Sequence, residues 1–456
     1  MRRLGYLMVA GLALTLVACA SPAAPAATPV SAALGPSDNL KLRPAAAPTG
    51  TAAQSPTATT SALASAATLA AQLKAQLIPT LPAPATVSPP GTGTIGINDI
   101  GVLSLGAGPD GRPLFAAFTE GLRDFSANQT HFAAIYTPNG PNSFQELSRV
   151  SLPDSDFIDP DGVTQVQIDP KLIWLQVESG AGANSGCFDI LSFDGTSLQD
   201  QAHQCLADPN RSRLEDVIGS GMQQVVLDQS DNLIFCHACG ISKFKFSVLS
   251  WNGSSMVPVD LATLPASAGA DLSRLTSRAV QLAQAGLWQE AQATIGQAQV
   301  LDGQDPTVKQ DAGLIDLYAN AFGQQASGGP YPLLDNVFFG DYPAALNAMR
   351  QLSPAEIFSQ QTPLIVGTVA QGFESSLEQN LATSTTQAIQ AEPSLAAAYY
   401  IRGWAEFLAN PNSSDALTDV QGAAQLDPNE PLYAESVTFL KAQSGEQGQP
   451  TATPTP

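Results

Sequence analysis

Residues able to do chemistry gather between positions 150 and 245, which hold Cys187, Cys205, Cys236 and Cys239 together with His203 and His237. An even set of cysteines outside the cell points to disulfides, and four of them allow three connectivities. Cys187 and Cys205 flank a turn at Asp194-Gly195 and face each other if the segments beside it pair as a hairpin. Cys236 and Cys239 are then left to pair locally. The same residues also read as zinc ligands, because Cys236-His237-Ala238-Cys239 and His203-Gln204-Cys205 offer thiolates and imidazoles that tetrahedral zinc accepts. Oxidation competes for the thiols, so the disulfide scheme is the expectation, and no metal or other cofactor is assigned. A thioredoxin-like redox centre places its Cys-x-x-Cys at a helix start after a strand, whereas the surroundings of Cys236 read as all-β.

Other chemistry is thinner. Asp154, Asp156, Asp159 and Asp161 form an acidic loop of the kind that holds calcium, but the expected liganding Glu is absent and a solvated turn is the simpler reading. Three histidines, at 131, 203 and 237, make no His-Glu-x-x-His site, and there is no Gly-x-Ser-x-Gly elbow. Ser242-Lys243-Phe244-Lys245 and Ser230-Asp231-Asn232 spell two of the three motifs of penicillin-interacting serine enzymes, in reversed order and without Lys-Thr-Gly. Phe244, Phe246 and Val248 alternate as in a strand, which places both lysines on its solvent face. The expectation is a protein without catalytic residues.

The elements that must position the cysteines are short apolar runs broken by Gly, Pro, Asn and Asp across residues 98–264. Leu114–Phe118, His131–Tyr136, Leu172–Val177, Phe188–Phe193, Gln223–Leu227 and Phe244–Leu249 have strand length and β-rich composition. Two of them close alike, Phe193-Asp194-Gly195 and Trp251-Asn252-Gly253, with dipeptides suited to tight hairpin turns. The repeated phrase resembles the strand-turn units of FG-GAP-like β-propeller repeats. That resemblance implies calcium loops, of which Asp216-Val217-Ile218-Gly219-Ser220-Gly221 keeps only the first carboxylate. With about 165 residues the region implies a partial propeller or a sandwich-like β domain.

From residue 268 to 445 the period changes to 3.6. Leu275, Ala279, Leu282 and Ala283 mark one helix face, and Gly286-Leu287-Trp288-Gln289-Glu290-Ala291 turns into Ile295, Ala298 and Leu301. The pattern returns at Gly340-Asp341-Tyr342-Pro343-Ala344-Ala345, and again at Tyr399-Tyr400-Ile401-Arg402-Gly403 followed by Ala416, Val420 and Ala423. These segments resemble tetratricopeptide repeats, pairs of helices about 34 residues long. The resemblance implies an all-α domain of three or four repeats, in which Ala291, Ala298, Ala345, Gly403, Ala416 and Ala423 sit where helices approach closely. Trp288, Tyr342 and Tyr399 fill the turns and first helices. The Pro265-Ala266-Ser267-Ala268-Gly269 break reads as a linker, so this domain is expected to fold alone.

The remainder concerns placement in the cell. Residues 1–18 run from Arg2-Arg3 through an apolar stretch to Ala18, which is secretory-signal anatomy and too short for the roughly 20 residues of a spanning helix. Leu16-Val17-Ala18-Cys19 resembles the lipobox of bacterial lipoproteins, which implies cleavage before Cys19 and a membrane lipid on its thiol. Residues 19–97 are mostly Ala, Pro, Thr and Ser and read as a disordered tether, interrupted by Leu63, Leu69, Leu73 and Leu77 in an amphipathic helical pattern. Residues 446–456 read as a disordered tail. Acidic residues outnumber basic ones by 20 to 8 across 98–262 and by 19 to 6 across 263–456, which excludes nucleic acid as a partner.

The sequence therefore describes a lipoprotein anchored to the extracytoplasmic face of the cell membrane. It is expected to act as a non-catalytic scaffold whose repeat groove takes a protein or peptide. The alternative is an extracytoplasmic enzyme or glycan-binding module with its site in the β domain.

Overall fold

The structure is a computed structural model that describes residues 59–81, 96–124, 128–182, 185–207, 211–443 and 445, with side chains from residue 66 onward in the first helix. Cys19, the signal segment 1–18, most of the tether 19–97 and the tail 446–456 lie outside the described residues. A curled antiparallel β domain is followed by an all-α domain, the order that composition and periodicity predict.

Among the described residues helix α1 (Thr59–Leu77) precedes thirteen strands. These are β1 (Asp99–Ala107), β2 (Pro113–Leu122), β3 (His131–Pro138), β4 (Phe144–Leu152), β5 (Phe157–Ile158), β6 (Val163–Val166) and β7 (Ile173–Gly180). They continue with β8 (Ser185–Phe193), β9 (Leu198–Ala207), β10 (Arg213–Glu215), β11 (Gln224–Asp228), β12 (Phe246–Trp251) and β13 (Met256–Pro258). Strands β1 to β4 form one antiparallel meander, β6 to β9 a second, and β10 to β13 a third; β5 ties β2 to β7, which joins the first two into one curled sheet.

The meanders pack on one another through their apolar faces. Leu114, Ala116 and Phe118 of β2 and Ile135 of β3 meet Leu175, Val177, Leu191 and Phe193 of β7 and β8 in one core. On the other face of the second meander, Trp174, Phe188, Ile190 and Ala202 meet Val225 and Leu227 of β11. A strand between two cores must be apolar at successive positions, and β8 is accordingly buried without a break from Cys187 to Phe193. Both predicted dipeptides make hairpin turns. Asp194 Oδ1 accepts from the backbone N–H of Thr196 and Ser197 at 2.8 Å each, and Asn252 Oδ1 accepts from those of Ser254 and Ser255 at 2.9 and 3.0 Å.

Helix α1 covers the outer face of the first meander. Leu73 and Leu77 are buried against Ile100, Phe115, Ala117, Ala134 and Tyr136, and Lys74 Nζ lies 2.9 Å from Asp99 Oδ2. Leu73 and Leu77 of the leucine pattern inside the tether thus belong to the β core.

Ten helices follow among the described residues: α2 (Ala270–Gln284), α3 (Trp288–Asp302), α4 (Pro306–Gly328), α5 (Pro332–Phe339) and α6 (Tyr342–Met349), then α7 (Pro354–Ile357), α8 (Glu374–Ala391), α9 (Ala396–Ala409), α10 (Ser414–Leu426) and α11 (Pro431–Gln443). Each of α2 to α5 packs on its successor, as do α8 to α10. Helices α2 and α4 begin at residues 270 and 306, and α9 and α11 at 396 and 431. Helix α4 runs unbroken through Gly323 to Gly328.

The helices are not separate from the β domain. Val226, Phe246 and Val248 of the third meander pack on Leu314 and Leu317 of α4. Gly313 is required there, since a Cβ on it would meet the Val217 carbonyl oxygen at 1.7 Å. Tyr318 Oη donates to the Phe246 carbonyl at 3.0 Å and accepts from its N–H at 2.9 Å. Gln325 does the same for the backbone of Ser242, at 3.0 Å in both directions. Ile234, Phe235 and Ile241 lie inside the helical core. Independent folding of residues 268–445 is therefore not what this packing favours, because the composition break at 265–269 marks an exposed connection and not the edge of a core.

Candidate functional site

The residues expected to pack helix pairs lie at helix contacts. Ala291, Ala298, Ala345 and Ala423 are wholly buried, and Ala416 and Tyr342 nearly so. At Gly403 a Cβ would stand 2.9 Å from both the Ala416 carbonyl oxygen and Val420 Cγ2, so α9 and α10 touch backbone to side chain. Trp288 is half-buried and stacks on Tyr318 with ring centroids 4.4 Å apart and planes 4° apart. Tyr399 lies beneath the Arg402 guanidinium, which grips both carboxylate oxygens of Asp419 at 2.6 and 2.7 Å.

Two open grooves adjoin these residues. One, of about 600 Å³, lies between the third meander and the first helices and is lined by Phe246, Val248, Trp288, Leu314 and Tyr318. The other, of about 750 Å³, lies among α7, α9, α10 and α11 and is lined by Phe358, Phe407, Ala416, Leu417 and Phe439 with Gln360, Asn412 and Ser413. No lining residue of this second groove is charged, in a chain whose formal net charge is -21. Both volumes fall in the range of about 300–1,000 Å³ typical of ligand sites.

The β domain carries a polar cluster at its rim. Cys187 and Cys205 are paired in register on β8 and β9 and form a disulfide, and Cys236 and Cys239 form a second. With all four thiols consumed, the thiolate zinc reading is overturned, and His203 loses Cys205 as a co-ligand. Two rungs along from the first disulfide, Asp189 on β8 faces His203 on β9, and Asp189 Oδ1 lies 2.6 Å from His203 Nδ1. His203 Nε2 lies 3.4 Å from Asp154 Oδ2.

A bulge at Gln201 shifts the register between Ile190 and Leu191, so Asp200 comes opposite Leu191 and joins His203 on the same face. Asp189, Asp200 and His203 are the only group of three or more metal-capable side chains among the described residues. Burial pushes the Asp189 carboxyl up to about 6, against the hydrogen bond from His203 that lowers it. Burial by itself would lower the His203 pKa, but Asp189, Asp200 and Asp154 outweigh it and hold the imidazole above its usual value. A groove of about 550 Å³ bordered by Arg123, Asp154, Asp156 and His203 opens beside the cluster.

Sequence reasoning had His203 in view but missed Asp189 and Asp200. The signal for Asp189 was present: once Cys187 and Cys205 are opposed across a hairpin, Asp189 and His203 must be opposed as well. Asp200 carried none, because the bulge is not visible in composition.

Other sequence motifs resolve differently. Asp156 pairs with Arg123 at 2.8 Å while Asp159 and Asp161 are exposed, so the acidic loop gathers no cluster of its own. His131 is fully buried, with Nδ1 2.9 Å from Thr119 Oγ1, and burial lowers its pKa. Lys243 is not on a solvent face as alternation suggested. It packs over the Phe338 ring and burial lowers its pKa, while Lys245 is exposed. The reason is that Phe244 precedes the strand, which begins at Phe246. Cys236-His237-Ala238-Cys239 forms a short 3-10 turn.

No helix among the described residues is long and apolar enough to cross a membrane. Compared with known proteins, the chain matches no family model, no curated protein and no solved structure.

Proposed function

We propose that the chain is a lipoprotein held by acylated Cys19 on the extracytoplasmic face of the cell membrane, where its tetratricopeptide-like helices act as a non-catalytic scaffold for an extended peptide segment of a protein partner. The observation that carries the reading is the uncharged groove among α7, α9, α10 and α11. A concave uncharged surface that mixes aromatic and neutral polar side chains suits a peptide, because aromatic walls take side chains while Gln360, Asn412 and Ser413 hydrogen-bond its backbone. The strongly acidic remainder of the chain favours solubility outside the cell and leaves this face as the place where a neutral, apolar segment is welcome.

The test is site-specific photo-crosslinking of the membrane-anchored protein in its own cells. A photoreactive residue at Leu417 is expected to give a discrete adduct that Phe407→Asp abolishes, whereas one at exposed Gln145 on β4 gives none. The same adducts from both positions, or none from Leu417, would overturn the groove reading. In the same fractionation, Cys19→Ser is expected to release the chain or leave its signal uncleaved. A cleaved variant that stays with the membrane would refute the anchor.

A further inference from the structure

We propose that the rim of the β8–β9 hairpin is a binding site for one divalent transition-metal ion of the zinc class, with Asp189, Asp200 and His203 as its three protein ligands. One ligand atom from each of these side chains lies within 4.8 Å of the others. An ion bound at about 2.0 to 2.2 Å from each ligand atom needs those atoms roughly 3 to 4 Å apart. The Asp189 to His203 contact at 2.6 Å must therefore open slightly, and Asp200, exposed on the bulged strand, swings in.

The independent observation is the state of Asp189. Its side chain is only 2 % exposed, its Oδ1 meets His203, and its Oδ2 is buried with no hydrogen-bond partner among the described residues. A buried carboxylate with one oxygen unsatisfied is costly unless a cation or donor meets it. Asp189 sits beside the two other ligands, and a bound ion meets that requirement.

The surroundings fit the same reading. With Nδ1 on the metal, the other ring nitrogen of His203 faces Asp154 Oδ2 at 3.4 Å, and a carboxylate on the free nitrogen is the arrangement that orients a ligating histidine and raises its basicity. The Cys187–Cys205 disulfide, two rungs away, holds β8 and β9 together so that the ligand pair stays opposed. Three protein ligands leave a fourth position open, as zinc sites that bind an exchangeable water or a small anion do. One imidazole and two carboxylates favour a borderline ion such as zinc, because calcium and magnesium prefer all-oxygen sets.

The experiment titrates full-length protein in detergent micelles, freed of metal by chelator and with its disulfides intact, with Zn²⁺ and with Co²⁺ as a coloured substitute. Expected are one tight equivalent and a visible cobalt spectrum of four-coordinate type. Asp200→Asn and His203→Gln, both on exposed side chains, should weaken binding at least about tenfold, and Asp154→Asn about 10- to 100-fold as an outer-shell loss. His237→Ala, at the other disulfide, should change nothing. A melting curve of each variant confirms that the fold persists. No binding of either ion, or binding of equal strength in Asp200→Asn and His203→Gln, would overturn the assignment, the latter by placing the ion on the general acidic surface.

Discussion

Residues 265–269 and 230–245 are both short connections, and they behave in opposite ways. The first, Pro265-Ala266-Ser267-Ala268-Gly269, has the composition of a linker and is exposed from Pro265 onward. The second has no such signature, yet Ile234, Phe235 and Ile241 are 4, 6 and 1 % exposed, and Phe235 stacks on Phe373 with ring centroids 5.7 Å apart. Ser376 Oγ donates to the Ile234 carbonyl, and the Cys236–Cys239 disulfide holds the turn between the buried residues. A composition break shows where the chain leaves the core but not where one core ends. The third meander is what joins the halves, since Val225 and Leu227 face the second meander while Val226 and Val248 face α4.

The strongest way to break this comparison is Phe235→Ala. Removing a buried aromatic ring that touches Tyr331 and Phe373 should cost about 3–5 kcal/mol. Because the third meander packs on both the second meander and α4, helix content and the near-ultraviolet signal of the Trp174–Trp251 pair should be lost in one transition at a lower temperature. Two separated transitions would show that the halves unfold independently after all.

Ala291→Trp is smaller and sharpens the same point from the helical side. Ala291 is wholly buried where α3 packs on α2, so the larger side chain forces the pair apart at about 1 to 3 kcal/mol. Its loss should spread to the β signal as well. A melting temperature that does not move would mean that the α2–α3 contact has been misread.

A buried charge at the seam makes the comparison depend on pH. Asp335 is wholly buried on α5, its Oδ2 accepts from the Tyr331 N–H at 3.2 Å, and burial pushes its pKa up to about 7 from 3.8. A carboxyl whose folded pKa lies above its unfolded one binds its proton more tightly in the native state. Its contribution is therefore fully present below pH 3.8 and is lost as pH rises through about 7. Across that window stability should fall at up to about 1.4 kcal/mol per pH unit. Denaturant unfolding of Asp335→Asn measured from pH 4.5 to 8 should show a flatter profile than the wild type, and an unchanged slope would remove Asp335 as its cause.

Much of the fold was legible because local rules govern it. Alternation and turn chemistry located β2, β3, β7, β8 and β11, and the Asp194-Gly195 and Asn252-Gly253 hairpins, since each depends on residues close together in the chain. The Cys187–Cys205 pairing followed from the hairpin that contains it. The small residues at Ala291, Ala298, Ala416 and Ala423 marked helix contacts because only a small side chain lets two backbones approach.

Tertiary structure decided what depends on register and on distant surfaces. The leucines of α1 form an amphipathic pattern in the sequence, but which surface would bury them was settled by Ile100 and Phe115 of the first meander. Lys243 looked solvent-facing by alternation and is covered by Phe338, nearly a hundred residues away in sequence. Asp189, Asp200 and His203 converge because a bulge at Gln201 moves one strand by a residue, and periodicity has no term for such a slip. A local pattern states which face of an element is apolar; only packing states what covers it and which polar side chains are left together at the rim.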